Sequence, residues 1–183
     1  MSTPGPLADL LHRRSIRHGD FVLASGARST YYIDCRPSTM SAEGQALIGR
    51  LGLSALRARG WAPQSVGGLT MGADPVAYAI ARASADAPPA IDAFSVRKQA
   101  KDHGTGKRVE GNFAAGHVVV VIEDVITSGG SALQAIEAVM AEGGRVLGVF
   151  AVVDREQGGR AKIEAAGFPV ETLITATALG LKS

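Results

Sequence analysis

The chain has 183 residues, of which 46% are hydrophobic and 20% charged, and its formal net charge is +2. This length and composition predict one globular domain covering residues 1–183. Cys35 is the only cysteine, which excludes a disulfide within the chain, and so small a charge gives no reason to expect a nucleic-acid partner. No apolar run approaches the roughly 18 residues of a membrane span, and residues 1–21 lack a signal-peptide core. We therefore expect a cytoplasmic protein without a membrane partner.

The N-terminal part, approximately residues 1–40, is expected to form a small hood. An apolar pattern near the start of the chain predicts a short amphipathic helix that ends near residues 18–19. Residues 20–34 alternate around a Ser-Gly turn, which is typical of a β-hairpin. This hairpin is either a plain antiparallel hood or a lid in which Tyr31 and Tyr32 cover a planar base.

Beyond the hood, strands and helices alternate, which predicts an α/β fold with a central, mostly parallel sheet flanked by helices. Ser41 is a suitable N-cap for one helix, and Asp74 followed by Pro75 is a suitable start for another. The other boundaries predict helices at 41–59, 132–140 and 160–166 and strands at 65–69, 91–96, 118–122, 145–153 and 170–175. Ligands of such sheets bind outside the carboxyl ends of the strands, so the loops that follow these strands are the candidate site.

The most informative stretch is residues 118–131. Five β-branched apolar residues, 118–122, predict a strand buried on both faces, and Glu123 and Asp124 follow it. The small residues 127–131 lead into a helix, where backbone N–H groups and the helix dipole favour an anion such as phosphate. A carboxylate pair repels phosphate but accepts hydrogen bonds from hydroxyl groups. Together these features indicate a ribose 5-phosphate as the ligand.

This stretch resembles the phosphoribosyl pyrophosphate (PRPP) motif of the type I phosphoribosyltransferases. The resemblance implies the type I phosphoribosyltransferase fold, with the acidic pair on the ribose hydroxyls and the turn around the 5-phosphate. The residues expected to bind PRPP on this ground are Glu123, Asp124, Val125, Ile126, Thr127, Ser128, Gly129, Gly130 and Ser131.

Residues 97–111 form a second unusual stretch, which carries five Lys or Arg side chains, one His and three Gly. A run of charge usually marks a solvated surface loop, but this one leaves the sheet at the same edge as the expected phosphate site. Long loops of this kind are often functional lids. Cations that close over a leaving pyrophosphate would stabilise its developing charge.

Within this loop, the spacing Arg-Lys-x-x-Lys-x-His-Gly, which begins at Arg97, resembles the catalytic loop of the orotate phosphoribosyltransferase family. The Tyr-Tyr hairpin and the Asp154-Arg155 pair match that family as well. The implied PRPP contacts are Arg97, Lys98, Lys101 and His103, the implied orotate contacts are Thr127 and Arg155, and the implied catalytic residues are Lys101, His103 and Asp124.

The resemblance further implies transfer of a 5-phosphoribosyl group from PRPP to orotate, Mg²⁺ bound mainly through PRPP, and a homodimer with shared active sites. No metal-ligand cluster is expected from the residues themselves. The chain departs from many family members by having Ala24 and Gly72 where they have lysines. We therefore expect the backbone amides of residues 70–73 to carry more of the pyrophosphate contact.

Two alternatives share this fold. One is a purine phosphoribosyltransferase, which the spacing of Lys101 and His103 after Arg97 disfavours. The other is a non-catalytic PRPP-sensing regulator that binds nucleic acid, which would need an additional domain or a wide basic face.

Overall fold

The computed structural model describes residues 5–22, 28–99 and 107–181. The helices are α1 (Pro6–Arg14), α2 (Arg36–Thr39), α3 (Ala42–Ala58), α4 (Ala73–Asp86), α5 (Gly130–Ala141) and α6 (Gly159–Ala165). The strands are β1 (Ile16–Val22), β2 (Arg28–Ile33), β3 (Ser65–Leu69), β4 (Asp92–Val96), β5 (Val109–Gly111), β6 (Val118–Ile126), β7 (Arg145–Asp154) and β8 (Val170–Thr175).

Two sheets are formed by these strands. The main sheet has the order β5-β4-β3-β6-β7-β8, and every neighbouring pair is parallel except β4 and β5. Strands β1 and β2 form a separate antiparallel hairpin. The expected mostly parallel sheet with an N-terminal hairpin is therefore confirmed.

Strand β6 lies inside the sheet, and its side chains alternate between two apolar layers. Val120 and Ile122 belong to the layer formed with helices α1 to α4, whereas Val119 and Val121 belong to the layer formed with α5 and α6. All four side chains are fully buried. The expectation of a strand buried on both faces is thus confirmed, and burial of these side chains is a main contribution to stability.

Some predicted boundaries are wrong. Helix α1 ends at Arg14 and not near residues 18–19, because Ile16 already pairs with Ile33 in the hairpin. Helix α4 begins at Ala73 with Gly72 as its N-cap, so it has no side-chain cap. Asp74 lies inside the helix, where its carboxylate accepts a hydrogen bond from the hydroxyl of Ser95 at 2.7 Å.

The end of β6 also differs from the prediction. The strand continues through Glu123 and Asp124 to Ile126, because Val125 and Ile126 still pair with β7. The acidic pair therefore belongs to the strand and does not follow it. Helix α5 starts at Gly130, two residues earlier than expected.

The N-cap of α3 is as predicted, since the hydroxyl of Ser41 accepts a hydrogen bond from the N–H of Gly44 at 3.0 Å. Among the residues described, no helix combines the length and the apolar character needed to cross a membrane.

Candidate active site

Three loops meet at the carboxyl edge of the sheet because β3, β6 and β7 are neighbours. They follow Leu69, Ile126 and Asp154. The N–H of Arg155 donates to the carbonyl oxygen of Ile126 at 3.0 Å. This bond ties the loop after β7 to the loop after β6, so groups on both loops are held at one place.

The loop after β6 surrounds a cavity of about 100 Å³. The cavity lies at the N-terminus of α5, where the N–H groups of the first helical turn have no partner within the helix. Gly129 has φ of 74°, and a Cβ atom there would lie 2.7 Å from the carbonyl oxygen of Gly159, so the turn requires glycine. The lining residues are Glu123, Val125, Ile126, Thr127, Ser128, Gly129, Gly130, Ser131 and Ala132.

The expected phosphate-binding residues are thus brought together by one short segment of chain. The side chain of Ile126 is buried in the core, so its main chain is what it can offer to a ligand. Donors from the backbone and from small hydroxyl side chains at a helix N-terminus suit a phosphate group.

Glu123 lies beside this cavity and is only 8% exposed. Its Oε1 atom is buried and has no hydrogen-bond partner among the described residues. Burial, and secondarily the charge of Asp124, raises the pKa of Glu123 to about 8. A buried carboxyl group without a partner is costly, and a ligand that brings hydroxyl groups or a cation would relieve that cost.

Asp124 is held differently from Glu123. Its Oδ1 atom accepts a hydrogen bond from the N–H of Val125 at 2.9 Å. Burial raises the pKa of Asp124 above its usual value, and hydrogen bonds from the backbone oppose that shift. The two neighbouring acids therefore differ in their hydrogen bonding. Asp124 accepts a hydrogen bond from the backbone, whereas Oε1 of Glu123 has no partner among the described residues.

A second cavity, of about 280 Å³, adjoins the acidic pair on its other side. It shares Glu123 and Ser131 with the first cavity. Its lining residues are Arg36, Leu69, Thr70, Met71, Gly72, Lys98, Glu123, Asp124 and Ser131. The two cavities form a path that leads from the start of α5, past both carboxylates, to the loop after β3.

Arg36 was not among the residues that the sequence pointed to. It lies in α2, a short helix that the sequence did not predict either, and it reaches the site only through the packing of the hood. The one local signal is the acid two residues earlier, Asp34, with which Arg36 forms an ion pair at 2.8 Å. Such pairs are common on protein surfaces, so this signal is weak.

Arg155 is 5% exposed, and its Nε and Nη2 atoms are buried without hydrogen-bond partners in the part of the chain that is described. Its guanidinium carbon lies 5.2 Å from the centre of the Tyr31 ring, a cation–π distance. A buried guanidinium group with free donors is suited to a planar anion such as a carboxylate.

The two tyrosines of the hairpin have separate environments. Tyr31 is 1% exposed and packs under Arg155, whereas Tyr32 is 40% exposed and contacts Phe21. The burial of Tyr31 disfavours the alternative in which both rings cover a base. Alternation along β2 places neighbouring residues on opposite faces, so only one of the two rings can face outward.

The basic stretch leaves the sheet after β4 and returns as β5. The N–H of Arg97 donates to the carbonyl oxygen of Arg108 at 2.8 Å, which closes the base of the stretch. The side chain of Arg97 pairs with Glu110 at 3.0 Å, while Lys98 lines the second cavity. Lys101 and His103, together with Ala24 of the hairpin, lie outside the described residues.

The strand order and the paired cavities define the class of the protein as a type I phosphoribosyltransferase. Two solved structures agree with this class. A phosphoribosyltransferase from Corynebacterium diphtheriae is 38% identical, with a TM-score of 0.85 and coverage of 99% of this chain and 100% of that one. The orotate phosphoribosyltransferase of Mycobacterium tuberculosis H37Rv in complex with PRPP is 42% identical, with a TM-score of 0.81 and coverage of 96% and 97%.

The sequence comparison gives the particular family. The orotate phosphoribosyltransferase of Mycobacterium avium is 47% identical over 175 residues, which cover 96% of this chain and 95% of that protein. No family model matches the chain. With relatives of this identity and coverage, the chain belongs to the orotate phosphoribosyltransferase family.

Proposed function

We propose that this protein transfers the 5-phosphoribosyl group of PRPP to N1 of orotate, which gives orotidine 5′-monophosphate and pyrophosphate in pyrimidine (UMP) biosynthesis. The observation that carries this proposal is the arrangement of a phosphate-sized cavity, an acidic pair and a buried arginine at one edge of the sheet. The Nε and Nη2 atoms of this arginine, Arg155, have no hydrogen-bond partner among the described residues. The hydrogen bond from the N–H of Arg155 to the carbonyl oxygen of Ile126 holds this arginine beside the loop of residues 127–131.

The ligand groups are assigned by chemistry. The 5-phosphate binds the backbone and hydroxyl groups of residues 127–131 at the start of α5. The ribose hydroxyls donate to Glu123 and Asp124, which line the path between the cavities. Thr127 and Arg155 bind orotate, whose carboxylate fits the free edge of the Arg155 guanidinium group.

The transfer needs no nucleophile from the protein. Breaking the bond between the ribose and pyrophosphate gives an oxocarbenium-like transition state, as in the cleavage of glycosides. The protein positions N1 of orotate against the ribose and stabilises charge on the leaving pyrophosphate. We assign the second role to Lys98, which lines the second cavity, and to Arg97, Lys101 and His103 of the same basic stretch.

Mg²⁺ is proposed as the cofactor and would bind mainly through PRPP. Among the described residues, no three His, Cys, Asp or Glu side chains are grouped to hold a metal ion. The fit is instead with a metal that arrives on its ligand, because the buried, unpartnered Oε1 of Glu123 lies next to Asp124 in the wall of the second cavity. When bound, Mg²⁺ neutralises charge on the pyrophosphate.

We also propose a homodimer with shared active sites, in which the basic stretch of one subunit completes the site of its neighbour. This follows from the family resemblance and from the position of the stretch at an edge of the sheet. The reaction is proposed to take place in the cytoplasm, because PRPP carries several negative charges and orotate carries one, so neither substrate crosses a membrane readily. No nucleic-acid partner is proposed.

The substrate assignment is tested by ultraviolet absorbance, which follows the loss of orotate when PRPP and Mg²⁺ are present. Orotate should be consumed, whereas uracil should not, because it lacks the carboxylate that Arg155 binds. Hypoxanthine and adenine should also remain unchanged. Turnover of hypoxanthine at a rate comparable to that of orotate would overturn the assignment in favour of a purine phosphoribosyltransferase.

A further inference from the structure

We propose that Arg36 is a substrate-binding residue. Its side chain donates hydrogen bonds to the pyrophosphate group of the PRPP molecule that is bound in the same subunit. This inference rests on the proposed function. It addresses how pyrophosphate is held in a chain that has Ala24 and Gly72 where many family members have lysines.

The acidic side chains in the wall of the second cavity are unfavourable for binding a polyphosphate. Two carboxylic acids, Glu123 and Asp124, form part of its wall. Of the described residues that line it, only Arg36 and Lys98 carry a positive charge. Lys98 is exposed at the start of the basic stretch, so Arg36 is the cation that belongs to the body of the fold.

Arg36 is held in a defined orientation by Asp34. Its Nε and Nη2 atoms donate to the two carboxylate oxygens of Asp34, each at 2.8 Å, and its N–H donates to Oδ1 at 3.0 Å. The Arg36 guanidinium lowers the pKa of Asp34, so the pair stays ionised near neutral pH. This two-point contact uses one edge of the guanidinium group and leaves Nη1 with no partner among the residues described.

The ion pair of Arg36 and Asp34 carries no net charge, so it attracts a distant anion only weakly. The contribution of Arg36 is instead a set of N–H donors with a fixed direction. Two N–H groups on a fixed Nη1 can bind phosphate oxygens with little loss of side-chain entropy, because Asp34 has already ordered the chain. The side chain is 47% exposed, which leaves it accessible to a ligand that enters the cavity.

In this chain, a side chain at Gly72 would disturb the acidic pair. A Cβ atom on Gly72 would lie 2.6 Å from Oδ1 of Asp124, so any side chain there would displace that carboxylate. The loop after β3 can therefore offer backbone groups and the hydroxyl of Thr70, whereas a cationic donor comes from another segment. The packing of α2 against α3 and α4 provides Arg36 at that place.

The test compares Arg36→Gln with the wild type in steady-state kinetics and in direct binding of Mg²⁺-pyrophosphate by calorimetry. Loss of a charge-assisted hydrogen bond should raise the KM for PRPP and the Kd for pyrophosphate by roughly 10- to 100-fold. The KM for orotate should change little, because Arg155 is untouched. Arg13→Gln is the matched control, since Arg13 is also exposed and paired with an acid, Glu43.

A second variant, Asp34→Asn, separates binding from a merely structural role. It removes the ion pair but keeps the Arg36 donors, so pyrophosphate should still bind more tightly than to Arg36→Gln. Unchanged KM for PRPP in folded Arg36→Gln, or equal losses of pyrophosphate binding in both variants, would overturn the inference. If the wild type binds pyrophosphate but consumes no orotate, the proposed function fails while the Arg36 comparison still stands.

Discussion

At the scale of single residues, the two carboxyl groups of the acidic pair of β6 have different environments. Glu123 and Asp124 are neighbours in sequence, but alternation along the strand turns their side chains in different directions. Glu123 keeps a buried oxygen without a described partner, whereas Asp124 accepts a hydrogen bond from the backbone. Near neutral pH, Glu123 holds a proton, since its pKa is raised to about 8. A ligand that ionises Glu123 would then release a proton on binding.

The raised pKa of Glu123 predicts a dependence of stability on pH. Its ordinary value is 4.5 and its folded value about 8, so in this window the folded chain holds a proton that the unfolded chain has lost. Its contribution to the free energy of unfolding is therefore complete below pH 4.5 and is lost as the pH rises towards 8. Without ligands, Glu123→Gln should be more stable than the wild type by about 4 kcal/mol at pH 8.

Urea denaturation of the wild type and Glu123→Gln across this pH range measures the effect. The difference between the two proteins should shrink towards zero as the pH falls below 4.5, where the glutamate is protonated in both states. Glu137→Gln, an exposed substitution on α5, is the control and should give no such trend. A difference that is the same at every pH would contradict the buried, protonated state of Glu123.

At the scale of elements, the turn after β7 is what presents Arg155 to the site. Buried Asp154 accepts hydrogen bonds from the N–H of Glu156 and from Nε of Arg160, each at 2.8 Å. Arg160 also donates to Thr172 of β8 at 2.9 Å, so it joins α6, the turn and the edge strand. Glu156 has φ of 58°, an unusual conformation for this residue that the surrounding bonds must maintain.

Arg160 is therefore a positioning residue for Arg155. In Arg160→Gln, Asp154 loses its charged partner, and we expect a loss of stability of about 1–3 kcal/mol. The KM for orotate should rise more than the KM for PRPP, because the turn carries Arg155, the proposed orotate contact. Lys162→Gln, an exposed change on the same helix, should alter neither constant. Equal increases in both constants would assign Arg160 to general stability instead of to the position of Arg155.

A structural feature can be predicted from the sequence when the residues that determine it are close together in the chain. The buried strand β6 and the phosphate loop after it are encoded in consecutive residues, so a short stretch predicts them. Arg36 is different, because its proximity to Asp124 arises from packing between segments far apart in sequence. The burial of Tyr31 could not be predicted either, since alternation shows that Tyr31 and Tyr32 face opposite ways but not which face α1 and Arg155 cover.

In the molecule as a whole, the two faces of the sheet are used for packing, and its carboxyl edge carries the candidate active site. Helices α1 to α4 cover one face and α5 and α6 the other, while the two cavities lie at the carboxyl edge between them. The basic stretch begins and ends at the outer strands β4 and β5. Its base is fixed to the C-terminal end of α5, because the N–H groups of Arg108 and Val109 donate to Glu142, the C-cap residue of that helix. A stretch anchored at the edge of the sheet is well placed to meet a second subunit.

The proposed sharing of sites between subunits predicts a gain of activity from two inactive variants. Lys101→Ala removes a cation of the basic stretch, and Asp124→Asn weakens the acceptor for a ribose hydroxyl. Equal amounts are mixed under conditions that exchange subunits. In a two-fold dimer with the stretch acting on its neighbour, each mixed dimer has one site with both changes and one with neither. Random pairing makes about half of the dimers mixed, so roughly a quarter of wild-type activity should return.

Subunit exchange must be shown independently, for example by native mass spectrometry of variants that differ in mass. If the stretch acts on its own subunit, every site keeps one change, and the mixture stays as inactive as its parents. That outcome, after proven exchange, would place Lys101 and Asp124 of one chain in the same site and exclude the shared arrangement. Self-mixing of either variant is the control, since it also exchanges subunits but can form no intact site in either arrangement.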